Sequence, residues 1–202
     1  MTREFSVTFD YLCPFARNAH EHVLAGLAAG ADWRVSWLPY SLSQGHVGEG
    51  EEPVWDRQDP WSVSGVLALA VGMRVRDSQP ERFPAAHREL FAVRHDHAED
   101  LRDPDALARA LERAGVPAAA VLDPLPDDEA LDRLRREHEH GVQDHGVWGV
   151  PTFVTDERAV FVRLMDRPGN DGALARRRIE QVLDLVDGAV ELNEFKQVDL
   201  PR

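Results

Sequence analysis

The stretch DYLCPFARNA, residues 10–19, holds the chain's single cysteine, Cys13. Apolar alternation ends just before it, and a helical pattern begins just after it at Pro14, a residue suited to a first helical position. A thiol at a helix N-terminus faces unpaired backbone N–H groups and the positive end of the helix dipole, and both favour thiolate over thiol. That setting predicts a partly exposed Cys13 with a pKa below the value of about 8.5 for a free thiol. The competing reading is a small buried hydrophobe, the usual fate of a free cysteine. With one cysteine the chain can form no internal disulfide, so its redox chemistry must run through other molecules.

The second place with chemical content is GVWGVPTF, residues 146–153. Here Pro151 opens a strand pattern, with Val150 before it and Thr152 after it. Arg17 stands one helical turn beyond Cys13, where it can add positive charge near a thiolate or simply face solvent. His20, a further turn on, reads as structural rather than as a base, because the dipole already supplies activation. Tyr11 and Phe15 are expected to flank the sulfur.

The nine histidines raise a metal reading. His95 and His97 in RHDHAED, and His138, His140 and His145 in EHEHGVQDH, lie near carboxylates. His-x-His on a helix turns its rings to different faces, and neither stretch has the H-E-x-x-H spacing of a zinc site. No metal is therefore expected. His138 and His145, seven residues apart, remain weak candidates for a substrate-facing role. AGLAAG lacks the lysine and the preceding strand of a phosphate loop, and RPGND reads as a turn with a helix cap.

The elements that must position these residues follow from periodicity. REFSVTF alternates Phe5, Val7 and Phe9 with polar residues, PFARNAHEHVLAGLAAG reads as a helix ending near Gly30, and DWRVSWLPYSL returns to alternation. Such a βαβ unit makes its strands parallel. From Trp55 to His145 the pattern is helical, with helices expected in DPWSVSGVLALAVGMRV, PERFPAAHRELFAVRHDH, DPDALARALERAG and DDEALDRLRREHEHGVQDHG. VPTFVT and RAVFVRLM then form a hairpin across DER, and GNDGALARRRIEQVLDLVDG closes as an amphipathic helix. In PVWDRQDPW, Trp55 and Trp61 read first as core, with a substrate groove as the alternative. The tail ELNEFKQVDLPR lacks helical period and is expected to pack over the domain or against another subunit.

C-P-F after the first strand, together with GVPTF before the third, resembles the DsbA family, a thioredoxin fold with a helical insertion. The same layout resembles kappa-class glutathione transferases and 2-hydroxychromene-2-carboxylate isomerases. The resemblance implies an α/β chain with a thioredoxin-like domain at 1–54 and 146–202 and an all-helical insertion at 55–145. It implies a cis Pro151 packed beside Cys13, and a substrate-binding role for Pro14, Phe15, Val150, Pro151 and Thr152. Val150 would offer backbone groups to an extended substrate. The family's usual second cysteine is Ala16 here, which points to a monothiol cycle in which an external thiol resolves a mixed disulfide. Cys13 is then the catalytic residue, with Arg17 as possible thiolate stabiliser.

The leading functional reading is therefore a monothiol thiol-disulfide oxidoreductase. The second is a kappa-class or isomerase-like enzyme activating a bound thiol cofactor, although those relatives typically have serine where this chain has Cys13. The third is a non-catalytic binding module. No tightly bound cofactor is expected; glutathione or mycothiol is the expected co-substrate, and a small thiol or a protein disulfide the expected partner. Mycothiol enters because an Arg-rich, Ala-rich chain with Lys196 as its one lysine suggests a GC-rich genome. A net charge of -13 argues against nucleic acid as a partner. No long apolar run suggests a secretion signal or membrane anchor, so a cytoplasmic monomer or homodimer is expected.

Overall fold

The computed structural model describes residues 2–156 and 158–194. Most of the final stretch read above, residues 195–202, lies outside them. A four-stranded sheet is built from β1 (Arg3–Phe9), β2 (Trp33–Pro39), β3 (Thr152–Val154) and β4 (Ala159–Phe161), in the order β2-β1-β3-β4. β1 runs parallel to β2, crossing through α1 (Pro14–Ala28), in the register Phe5↔Val35 and Val7↔Trp37. β3 is antiparallel to β1, with Ser6 opposite Val154 and Val7 opposite Phe153. Antiparallel pairing sets the start of β3 beside the end of β1, so topology alone delivers the Pro151 loop to the Cys13 turn.

The chain between β2 and β3 is helical: α2 (Leu42–Gly45), α3 (Val66–Ser78), α4 (Phe83–His95), α5 (Pro104–Arg113), α6 (Ala118–Leu122) and α7 (Asp128–His145). α8 (Gly172–Gly188) follows β4. The helix expected from Asp59 onward starts later, because residues 60–62 form a 3-10 turn capped by Asp59 and the chain breaks at Gly65, whose φ is 90°. α6 was not legible as a separate helix, and β4 is shorter than RAVFVRLM suggests.

Two apolar clusters organise the molecule. Phe5, Val7 and Phe153 pack with Ala19 and Val23 of α1 and with Ile179, Leu183 and Val186 of α8. Phe9 and Tyr11 instead enter a larger cluster with Leu69, Phe83, Leu90, Phe91, Leu107 and Leu111 of the helical block. Tyr11 reaches inward through a gap left by Gly72, where an added Cβ would meet the Tyr11 hydroxyl at 2.2 Å. Tyr11, in the same cluster as Cys13, is a fully buried strut between sheet and insertion. Trp55 is likewise buried, against the His138 ring, in keeping with its core reading. Among the described residues no helix is long and apolar enough to cross a membrane.

Candidate active site

Cys13 is the N-cap of α1, with Pro14 at the first helical position. The Ala16 N–H donates to Cys13 Sγ at 3.4 Å, and the thiol donates to the Val150 carbonyl at 3.4 Å. The helix start therefore engages the sulfur, as the sequence suggests. Exposure differs from expectation: Cys13 is 7% exposed and belongs to the larger apolar cluster.

Burial reverses the expected ionisation. Desolvation pushes the Cys13 thiol above its ordinary value, outweighing the Ala16 and Phe15 backbone N–H groups that pull it down. The Val150 carbonyl adds to this, since an acceptor against the sulfur favours S–H over S⁻. Two charges also act on the thiol: Asp10 raises it and Arg163 lowers it.

Arg17 does not fill the stabiliser's role assigned to it. Its guanidinium is buried and spent on Glu21 at 2.9 Å and on Asp96, in a cluster that Arg167 joins. The charge that eases ionisation comes from Arg163, beyond β4, which sequence spacing could not have paired with Cys13 because 150 positions separate them.

The loop facing the sulfur is firmly tied. The Val150–Pro151 bond is cis. Thr8 Oγ1 accepts from the Thr152 amide at 2.8 Å and donates to the Gly149 carbonyl at 3.3 Å, and the Thr152 hydroxyl donates to that carbonyl at 2.8 Å. Thr152 is thus spent on holding the loop. Pro151 accepts from Val162 N at 3.1 Å. Pro14 is exposed and Phe15 half-buried, so the open side of the site lies over these two residues.

Asp10 is a residue that sequence inspection passed over. It is fully buried, and its two carboxylate oxygens accept from Leu12 N at 2.9 Å and Leu42 N at 2.7 Å, joining the Cys13 turn to α2. Burial pushes its carboxyl up to about 6, against the pull of those two N–H groups, and it is still mostly ionised at neutral pH. A pH titration of Cys13 alkylation by iodoacetamide should therefore have its midpoint above the value of about 8.5 for a free thiol. Asp10→Asn should lower that midpoint and speed alkylation at pH 7 by about fivefold, by removing a like charge. A wild-type midpoint at or below that of a free thiol would show that burial does not govern the sulfur.

Behind the site runs a chain of buried side chains. His20 Nε2 donates to the Thr8 carbonyl at 3.0 Å, which leaves His20 Nδ1 to accept from His87 Nε2 at 2.9 Å. His87 Nδ1 then accepts from the Tyr11 hydroxyl at 2.8 Å. One carbonyl at the end of the chain fixes every tautomer, and both rings are neutral. His20 is structural, as expected. His138 accepts from Ser41 N at 3.1 Å under Tyr40 and Trp55, and His95 donates to the Tyr11 carbonyl at 3.0 Å. His145 lies edge-on to His140, away from these groups. Among the described residues no three His, Cys, Asp or Glu side chains are grouped to hold a metal ion.

A four-stranded mixed sheet, a cysteine capping its first crossover helix and a proline loop opposite define a thioredoxin-like protein with an inserted helical subdomain. The profile of the DSBA-like thioredoxin domain matches residues 5–168, and the chain belongs to that family. Among curated proteins no relative matches. The fold is similar to that of the cytosolic disulfide reductase DsbM from Pseudomonas aeruginosa with GSH, at 14% identity and a TM-score of 0.62, covering 90% of this chain and 100% of that one. A 2-hydroxychromene-2-carboxylate isomerase has the same identity, 14%, and TM-score, 0.62, with coverage of 94% and 100%. A thioredoxin-like oxidoreductase from Silicibacter pomeroyi DSS-3 follows at 16% identity and 0.58, with coverage of 90% and 84%.

Proposed function

We propose that this protein is a cytoplasmic thiol-disulfide oxidoreductase that works through Cys13 alone. The Cys13 thiolate attacks one sulfur of a disulfide R–S–S–R, a Cys13–S–S–R bond forms, and R–S⁻ leaves with the electron pair of the broken bond. An external thiolate then attacks the R sulfur, releasing the mixed R–S–S–R′ and regenerating Cys13. The observation that carries this reading is the sulfur at the N-cap of α1, engaged by the Ala16 N–H at 3.4 Å, with no second thiol in the chain. The likeness to a cytosolic disulfide reductase described with GSH supports a low-molecular-weight thiol such as glutathione or mycothiol as co-substrate. A protein disulfide is the other substrate class.

One observation favours a second reading. The thiol is pushed up by burial and donates to the Val150 carbonyl, so at neutral pH Cys13 is a hydrogen-bond donor before it is a nucleophile. Turned toward a bound thiol cofactor, that S–H would stabilise the cofactor's thiolate, as an isomerase-like enzyme requires. Incubation with glutathione disulfide followed by intact mass measurement separates the two. A glutathione adduct on Cys13, removed by added thiol and absent in Cys13→Ser, is the expected result. Binding of reduced glutathione with no adduct would sink the oxidoreductase reading and favour the second, and neither adduct nor binding would leave a non-catalytic module.

A further inference from the structure

Arg163 stands just beyond β4 with its guanidinium 5.4 Å from the centroid of the Phe15 ring and 5.6 Å from that of Phe161. Phe15 lies in the first turn after Cys13, and Phe161 lies against Gly149 of the loop that faces the sulfur. The guanidinium thus spans two rings that belong to the two sides of the thiol. Its backbone is held on both flanks: Val162 N donates to the Pro151 carbonyl at 3.1 Å, and Asn18 Nδ2 donates to the Leu164 carbonyl at 2.9 Å. Among the described residues no salt bridge involves Arg163, in a chain whose net charge is -13. Next to it, Trp148 is 70% exposed and packs against Phe161, with 4.6 Å between centroids and the rings tilted by 37°. A large aromatic left in water beside a cation fixed over aromatic faces has the composition of a ligand subsite.

We propose that Arg163, with the Phe15, Phe161 and Trp148 rings, forms a subsite for a small thiol or disulfide that carries a carboxylate a few bonds from its sulfur. This rests on the site proposed above and names the chemistry that the site selects. The guanidinium pairs with the carboxylate, and the Trp148 face covers the apolar or amide part of the ligand. The same positive charge that attracts the ligand lowers the Cys13 thiol, so recognition and activation share one side chain. A cationic disulfide is disfavoured by the same group.

Two disulfides of opposite charge test this at low ionic strength: glutathione disulfide, which carries carboxylates, and cystamine, which carries ammonium groups. The ratio of their rates of adduct formation on Cys13 cancels any change in thiol ionisation. Arg163→Glu should lower the glutathione-to-cystamine ratio by about tenfold, and added salt should shrink the wild-type preference. An unchanged ratio in the variant overturns the proposal while leaving the Cys13 reaction intact. Should Cys13 form no adduct with either probe, the oxidoreductase reading fails, and binding decides the subsite alone. S-methylglutathione should then quench tryptophan emission in Cys13→Ser, the quench should be lost in Trp148→Phe, and Arg163→Gln should weaken binding. No binding, or binding indifferent to Arg163, overturns it.

Discussion

Replacing His87 by alanine should lower the unfolding free energy by about 4 kcal/mol. The ring is fully buried between Tyr11 and His20 and packs against Phe9, Phe83 and Phe91. Its removal leaves a cavity, and it strips the Tyr11 hydroxyl and His20 Nδ1 of their partners, each worth about 1–3 kcal/mol when stranded. His87→Phe separates the two causes. It refills the volume but restores neither hydrogen bond, so a loss of about 2–3 kcal/mol should remain. Urea unfolding at pH 7 measures both variants. A loss below about 1 kcal/mol in His87→Phe would mean that the chain contributes packing and no hydrogen-bond stability.

The buried histidines, with Asp10, also make stability depend on pH. Burial lowers His20 from 6.5 to about 4 and His138 likewise to about 4, and it lowers His87 in the same direction. Between those values the unfolded chain binds more protons than the folded one, so stability falls as pH drops from 6.5 to about 4. Each of the two histidines that titrate near 4 costs about 3 kcal/mol across that window. Asp10 works in the opposite sense. Its carboxyl is raised from 3.8 to about 6, so the folded state binds the extra proton there and regains stability on acidification over that range. One carboxyl offsets one histidine. The remainder still favours neutral pH, and the urea midpoint should fall steadily between pH 6.5 and 4.

How much of this could be read from the sequence depends on the distance over which the cause acts. The alternation of Phe5 and Val7, Cys13–Pro14 opening α1 and the 3.6-residue period of α8 are local patterns, and they gave the β-α-β, helical block and β-β-α order. The return of Pro151 to Cys13 came from family resemblance, and in the structure it follows from β1–β3 antiparallel pairing. The burial of Cys13 was not legible, because the Val150 carbonyl that accepts its hydrogen bond is 137 positions away. Helix-dipole reasoning sees only the local half of the balance that sets a thiol's ionisation. Arg17 looked apt by spacing, yet Asp96, on the far side of the insertion boundary, claims its charge. His20 and His87 are 67 positions apart, and nothing in either neighbourhood announces their bond. Asp10 did leave a trace: a carboxylate three residues before a cysteine, at a strand end where backbone N–H groups need acceptors.

Ala16→Cys should convert the site from a monothiol into a dithiol. Position 16 is fully buried, and its N–H already touches the Cys13 sulfur at 3.4 Å, so a thiol there is brought beside the first by the first turn of α1. The added sulfur enters a close-packed place, with an expected cost of about 1–3 kcal/mol in the reduced protein. Ala16→Ser carries much of the same crowding without a bond to form and serves as the control for it. After mild oxidation the cysteine variant should lose both free thiols and two hydrogens in intact mass. Wild type under the same treatment should stop as a mixed disulfide until an external thiol arrives. The variant should then turn over a generic protein disulfide at least about tenfold faster than wild type, because an internal thiolate resolves the intermediate at high effective concentration. If the variant keeps two free thiols while iodoacetamide still reaches Cys13, the two sulfurs do not meet. Ala16 would then no longer account for a monothiol cycle, and the reading in which Cys13 donates its S–H to a bound thiol would become the stronger one.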